Sequence, residues 1–378
     1  MIHPTKKCQR KTFRGEVRFF LILSGVSGAE TPCEKMRSKF GNISRTVPCM
    51  AVKNIVPTLV LVIGIIWGFG EAAAQNSSPK SILIESGLVS GEPFESESFP
   101  VDQAVELSVF TLSGNVEIFE NPDIDHIQID LYVDRGFSLW SGGANLDNYR
   151  IIFQRTRERI IASVEPRRSE SRVWKGDNIT FSYIVQTPVD ISSRIRNTKG
   201  DIYARNLKGN HLIQATVGNL YLEDLEGEIN AYSASGNITA QRMRGEVNAK
   251  TTNGNIIISD SDGEIRLRTV TGSLRAANSR GTFIAATTTG NITAMLNSVG
   301  EGSYIETVTG SVNLTLPAEL NYSIQASGSS VDVSDLLNRR EFEGRVQQRV
   351  ANVVFGSGNI PIQISSVSGN VIIKTGSN

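Results

Sequence analysis

Charged and amide residues recur along the chain in pairs, two positions apart, and each pair returns at every eighteenth position. The series reads Asn206/Lys208, Asp224/Glu226, Arg242/Arg244, Asp260/Asp262 and Asn278/Arg280. Two nearby carboxylates such as Asp260 and Asp262 could cleave a glycosidic bond if one of them held its proton. If residues of successive pairs lie side by side, however, arginines flank both carboxylates and keep them ionised. We therefore predict no catalytic residues here, with a ligand or catalytic site as the alternative. The predicted structural ladder consists of Asp224, Glu226, Arg242, Arg244, Asp260, Asp262 and Arg280.

Three glutamates, Glu228, Glu246 and Glu264, form a second series with the same interval. Like charges stacked in this way repel each other unless solvent, a cation or a basic side chain offsets them. Carboxylate oxygens are also the ligands that Ca²⁺ prefers, so the three residues are a candidate binding site. The chain lacks the Gly-Gly-x-Gly-x-Asp repeat of calcium-binding β-helices. We therefore predict a solvated acidic face without a bound metal.

A basic run that includes Arg155, Arg157 and Arg159 is the third candidate binding group. Arginine binds carboxylate and phosphate groups through paired hydrogen bonds, so an anionic envelope glycan is the candidate ligand. We interpret the run as a solvated hairpin turn around Thr156, with ligand binding as the alternative. The balance of 38 basic and 38 acidic residues argues against nucleic-acid binding. The sequence contains no nucleophile elbow, phosphate loop or zinc-ligand spacing, which favours a protein without catalytic residues or a cofactor.

The candidate residues lie within a nine-position repeat, which determines the strands and turns that position them. Glycine occupies every ninth position from Gly200 to Gly290, and apolar residues recur two and four positions after the glycines, with His211 in one apolar slot. The alternation predicts a short half-buried strand in each unit, and glycine supplies the turn. Alternate units resemble each other more than neighbouring units do, which indicates that one coil contains two units and therefore two strands. Because the pattern keeps one sense along the chain, we predict an all-β fold, a parallel β-solenoid with an N-terminal β-rich cap.

The chain divides into four predicted segments. Residues 197–378 form the solenoid, with a loop or capping insertion near 336–352, and residues 75–196 form the cap. Residues 50–74 have the basic start, apolar middle and small-residue end of a secretory signal peptide. We interpret residues 1–49 as sequence upstream of a true start at Met50. Cleavage near Ala74 would leave an extracytoplasmic chain without cysteine, without a membrane span and with a net charge of −7; an uncleaved anchor is the alternative.

Several short motifs point to a known family. Ser113-Gly114-Asn115-Val116, the segment 197–202 and the later Thr/Ser-x-Gly-Asn-Ile units resemble the bacterial putative-adhesin family, over roughly residues 100–378. The resemblance implies a β-solenoid exposed at the cell envelope and transfers no catalytic residues. We therefore expect a secreted, non-enzymatic adhesin or envelope scaffold that binds an extended polymer, such as an envelope glycan, or a surface protein. A polysaccharide-active enzyme on a β-helix and a periplasmic sensor domain are the alternatives.

Overall fold

The structure, a computed structural model, describes residues 91–101, 105–136, 145–167, 179–188, 191–317, 321–337 and 342–376. These residues lie in one compact unit, Ile82–Asn378. The predicted signal peptide and the upstream extension lie outside the described residues. Within the described part of the chain the fold is nearly all β, with 25 strands.

The first eight strands precede the regular repeat. They are β1 (Glu95–Pro100), β2 (Glu106–Thr111), β3 (Val116–Glu120), β4 (His126–Arg135), β5 (Tyr149–Arg155), β6 (Arg159–Pro166), β7 (Ile179–Thr187) and β8 (Ser192–Lys199). A single 3-10 turn in this described part, Leu146–Asn148, leads into β5.

The regular repeat and the C-terminal end contain the other strands. The repeat consists of β9 (Ile202–Val217), β10 (Leu220–Ser235), β11 (Ile238–Gln241), β12 (Arg244–Asn253), β13 (Ile256–Ser259), β14 (Asp262–Thr271), β15 (Leu274–Ser279), β16 (Phe283–Thr289), β17 (Ile292–Leu296), β18 (Ser303–Thr309) and β19 (Val312–Leu316). The C-terminal end consists of β20 (Tyr322–Ser327), β21 (Ser330–Asp332), the short helix α1 (Ser334–Leu337), β22 (Phe342–Val346), β23 (Val350–Phe355), β24 (Ile360–Ser366) and β25 (Asn370–Thr375).

Strands β9 and β10 define the repeating coil. They run parallel, and the register pairs Ile202 with Leu220 and His211 with Ile229, so each residue lies beside the one eighteen positions later. The same offset pairs Leu274 with Ile292 in later coils. The side chains that follow each glycine by two and four positions point into the core, where almost all of them are fully buried. The prediction of a parallel solenoid with two strands in each eighteen-position coil is therefore confirmed.

Each coil contributes one strand segment to each of two sheet faces. Face A consists, in spatial order, of β5, β6, β2, β8, the second halves of β9 and β10, β12, β14, β16, β18, β24, β20, β23 and β22. Face B consists of β1, β4, β7, β3, the first halves of β9 and β10, β11, β13, β15, β17, β19, β25 and β21. The apolar side chains of both faces meet between them.

Chain order and spatial order differ at both ends of the solenoid. Strand β3 pairs directly with β9, so that Val116 lies beside Ile202. Strands β6 and β7, which lie between them in the chain, form an outer coil that pairs with β2 and β3. On the outer side of this coil, β5 pairs antiparallel with β6, β4 pairs antiparallel with β7, and β1 pairs antiparallel with β4. At the C-terminal end, β24 and β25 lie between the coil of β18 and β19 and the coil of β20 and β21. The last strands of the chain are therefore wedged inside the solenoid.

Two kinds of corner connect the faces. At the glycine corner, successive coils approach so closely that a Cβ on Gly254 would lie 2.0 Å from the carbonyl oxygen of Gly236. The next residue also links the coils, because the Ser273 backbone N–H donates to Oδ1 of Asn255 at 2.8 Å. At the opposite, left-handed corner, five non-glycine residues have φ between 52° and 55°, namely Asn206, Asp224, Arg242, Asp260 and Asn278. Asparagine and aspartate tolerate this conformation better than most residues.

Candidate binding surface on face A

The structure places the predicted glutamates on one outward-facing row of face A, which we call the acidic row. Glu228, Glu246 and Glu264 lie side by side in adjacent coils. In the N-terminal direction the row continues through Asn210, Ser192 and Glu106 to Arg159. Sequence spacing linked the three glutamates, but only the fold brings Arg159 to the end of the same row.

Arginines neutralise much of the charge in the acidic row. Arg159 and Arg194 form ion pairs with Glu106 at 3.0 and 2.9 Å. Partial burial opposes ionisation of Glu106, but the hydrogen bonds from these two arginines lower its pKa overall. Farther along the row, Arg266 contacts both Glu246 and Glu264. The row is therefore a network of paired charges, and within the described residues no cluster of three or more metal-binding side chains is suited to hold a metal ion.

The basic run occupies the hairpin between β5 and β6. The Thr156 backbone N–H donates to the Arg159 carbonyl oxygen at 2.8 Å and closes the turn. Arg155 donates a hydrogen bond to the carbonyl oxygen of Pro100, whereas Arg157 is exposed at the tip. Arg155 and Arg159 therefore contact different groups while Arg157 is exposed, and the three arginines do not form one binding patch.

The predicted ladder residues lie along the left-handed corner. Arg242 binds Asp224 through two hydrogen bonds of 2.8 and 2.7 Å and also contacts Glu223. These carboxylates raise the pKa of Arg242 despite partial burial and hold an arginine in a backbone conformation that it rarely adopts. Lys208 lies 3.5 Å from Glu226.

The remaining ladder residues make fewer contacts. Asp260 accepts a hydrogen bond from Asn278 at 3.0 Å. Arg244 lies in register between Glu226 and Asp262, and Asp262 forms a backbone bridge with Arg280. No ion pair joins Arg244 to a described residue. The role of this ladder in holding the coil register stays a prediction.

A groove of about 440 Å³ crosses the strands of face A near the glycine corner and was not predicted from the sequence; the row of Asn230 and Asn248 separates it from the acidic row. Its outward-facing side chains come from five coils that are adjacent in space. They are Phe110, Arg196, Gln214, Tyr232 and Lys250, with Thr198, Thr216, Ala234 and Thr252 beside them. Since neighbouring strands are about 4.8 Å apart, the groove extends about 19 Å along the solenoid axis.

The row of side chains along the groove combines cations with neutral hydrogen-bonding groups. Arg196 donates Nε–H to Oε1 of Gln214 at 3.0 Å. The Tyr232 hydroxyl donates to Oδ1 of Asn230 at 3.2 Å and accepts from Nδ2 of Asn248 at 3.1 Å. Lys250 is exposed and pairs in register with exposed Arg268 of the next coil. None of the three cations, Arg196, Lys250 and Arg268, forms an ion pair with another residue that the structure describes.

The eighteen-position interval between coils relates most of the residues of this groove to one another in the sequence. Arg196, Gln214, Tyr232, Lys250 and Arg268 each stand eighteen positions after the one before, so the repeat alone could have placed them in one row. Phe110 could not have been found in this way, because the inserted strands β4 to β7 separate its coil from the next one in sequence.

No helix in the described part of the chain has the length and apolar character needed to cross a membrane.

Among solved structures, the chain is similar to a putative cell adhesion protein from Clostridium sporogenes at 10% identity, with 75% of this chain and 100% of that chain covered and a TM-score of 0.22. It also matches a putative adhesin from Bacteroides fragilis at 10% identity, with 74% and 96% covered and a TM-score of 0.37. No curated protein matches the chain.

A family model matches the regular coils and the C-terminal end. The match covers residues 196–374, a shorter range than the roughly 100–378 expected, and the family is described as Toastrack DUF4097. The coil of β2 and β3, which contains Gly114 and Asn115, lies outside the matched residues although it stacks directly on them. Residues 196–374 of this chain match this family of unknown function, and the resemblance predicted from the short glycine motifs is confirmed.

Proposed function

We propose that this protein is a secreted, non-enzymatic adhesin or envelope scaffold that binds an extended anionic polymer along the groove of face A. The observation that carries the proposal is the position of Arg196 and Lys250 in one continuous groove that spans five coils. Both cations lack an ion-pair partner among the described residues, so both are available to a ligand.

The dimensions of the groove favour a linear ligand over a small one. Arg196 and Lys250 are three coils apart, or about 14 Å, and Arg268 lies one coil farther. A polymer with carboxylate or phosphate groups at intervals could contact all three cations when it lies parallel to the axis. Tyr232 offers a ring and a hydroxyl between them, and the threonines beside the row offer further hydroxyl groups. An anionic envelope glycan has this chemistry.

The lysine in the groove provides the test. We expect the Lys250→Glu variant to bind immobilised polygalacturonate about tenfold more weakly than the native protein, because a repulsive charge replaces an attractive one in the groove. Binding of the native protein should also weaken as salt is added, since exposed charges are screened. Surface plasmon resonance at low and physiological salt would measure both effects.

A charge reversal on the other face is the matched control. Arg275 is exposed on face B, so Arg275→Glu changes the net charge by the same amount and should leave binding unchanged. Equal losses in the two variants, or equal binding to uncharged dextran, would contradict a specific groove. The appearance of new reducing ends in the polygalacturonate would contradict the non-enzymatic proposal and favour a polysaccharide-active enzyme.

A further inference from the structure

Among the described strands, β22 is the last of face A at the C-terminal end of the solenoid, and one of its edges is open. It pairs with β23 on one side, and no other described strand pairs with it. Glu343, Gly344, Arg345 and Val346 are all exposed. An exposed strand edge carries unpaired N–H and C=O groups and therefore favours pairing with another strand.

The hairpin register identifies the backbone groups that face this open edge. The Gln347 backbone N–H donates to the Val350 carbonyl oxygen at 2.8 Å in the turn between β22 and β23. Hydrogen-bonded and non-hydrogen-bonded pairs alternate in an antiparallel ladder. The backbone groups of Glu343 and Arg345 therefore point to β23, while those of Phe342, Gly344 and Val346 point away from it.

The charges on β22 are complementary to those of a second copy of the same strand. Glu343 and Arg345 flank Gly344, and neither forms an ion pair with another described residue. If two copies of β22 pair in antiparallel fashion around Gly344, Glu343 of each copy lies opposite Arg345 of the other. Opposite charges at directly paired positions stabilise a sheet, and like charges destabilise it. A two-fold axis through Gly344 would form both charge pairs at once.

Exposed valines at the same end provide apolar surface for such a contact. Val346, Val350 and Val354 are 38%, 40% and 37% exposed. Val346 lies on β22 at the open edge, whereas Val350 and Val354 lie on β23, one strand away from it. Burial of part of this surface would add to the hydrogen bonds and charge pairs of the strand interface.

We propose that two copies of the protein associate tail to tail through β22, in antiparallel register around Gly344. The pairing would form about six backbone hydrogen bonds and two Glu343–Arg345 charge pairs. Face A would then continue from one copy into the next, and the dimer would present two groove-bearing faces along one axis. The interface does not depend on the polymer ligand.

Charge variants of the full chain test the proposal by sedimentation equilibrium. We expect the native protein to be in monomer–dimer equilibrium, and Glu343→Arg or Arg345→Glu to weaken dimerisation at least tenfold because like charges then face each other. The double variant E343R/R345E exchanges the charges and should restore the dimer. An equimolar mixture of the two single variants should form mixed dimers, since one carries two arginines and the other two glutamates at these positions. Arg275→Glu is the control that should dimerise normally.

Two results would overturn the proposal. One is a native protein that stays monomeric at concentrations up to about 0.3 mM, because a dissociation constant above that value is too weak for a specific strand interface. The other is dimerisation that persists unchanged in both single variants, which would assign the contact to another surface. Because the mixture and the double variant recover association, loss of dimer in the single variants cannot be attributed to unfolding.

Discussion

His211 is the residue whose environment is least expected from its chemistry. Its side chain takes an inward slot that isoleucine and valine occupy in the next coils, and it is 1% exposed. Nδ1 lies 3.0 Å from the Ser193 hydroxyl, whereas Nε2 has no hydrogen-bond partner among the residues that the structure describes. Burial lowers the pKa of His211 to about 4, because the charged ring would have to leave water.

This environment predicts a stability loss in acid. The unfolded chain takes up a proton on His211 near pH 6.5, but the folded chain does so only near pH 4. Stability therefore falls as the pH drops through this window, and the native protein should lose about 3 kcal/mol relative to His211→Leu between pH 7.5 and pH 4. Urea unfolding of both proteins across the window measures the difference. Parallel pH profiles would show that His211 is not the titrating group.

Arg242 illustrates how one position can satisfy two requirements. The spacing of charges suggested a ladder in which opposite signs alternate, and Arg242 does bind Asp224. The structure adds that this position needs a left-handed backbone, which explains why asparagine or aspartate occupies it in the other coils. Charge pattern and backbone conformation thus select residues at the same corner.

At the scale of the element, the glycine corner determines how closely coils can stack. Gly236, Gly254 and Gly272 follow each other in adjacent coils, and each would place an added Cβ about 2 Å from a carbonyl oxygen of the preceding coil. A side chain at any of these positions must push two coils apart. The Asn255 side chain joins the same two coils, because its Oδ1 accepts a hydrogen bond from the Ser273 backbone N–H of the next coil. The corner therefore combines close backbone contact with side-chain hydrogen bonds between coils.

A single methyl group at this corner should therefore be costly. We expect Gly254→Ala to lower the free energy of unfolding by about 3 kcal/mol, as overpacking in a rigid core does. Gly376→Ala is the matched control, because a Cβ there would meet Leu316 at an ordinary 3.6 Å, and it should cost less than about 0.5 kcal/mol. Guanidinium unfolding measures both values, and equal stability of the two variants would argue against steric control of the coil spacing.

At the scale of the whole molecule, both ends of the solenoid are closed by strands that arrive out of sequence. The N-terminal coil of β2 and β3 is covered by β6 and β7, and the C-terminal strands β24 and β25 lie between two earlier coils. The C-terminal segment is therefore internal in space although it is terminal in the chain. Such pairings between distant segments carry a large loop-closure cost during folding.

Truncation of the chain after Phe355 tests this arrangement. Deletion of residues 356–378 removes β24 and β25, so the coils on either side of them lose their hydrogen-bonding partners. We expect the C-terminal coils to become sensitive to protease and the melting temperature to fall by at least about 10 °C, because several buried strand edges are left open. Deletion of 377–378 alone should have no effect. A truncated protein with unchanged melting would mean that the outer coil can close the gap.

The nine-position glycine period, with apolar residues two and four positions later, was sufficient to predict the coil, its parallel strands and its length of two units. These properties are local, since they depend on which residues can turn and which alternate between core and solvent within one unit. The sequence also placed Glu228, Glu246 and Glu264 in one row for the same reason. Tertiary structure alone decided the neighbours of the inserted segments: it brought Arg159 to the acidic row, Phe110 to the groove and β25 into the interior. These contacts join residues that no period connects, because long insertions separate strands that are adjacent in space.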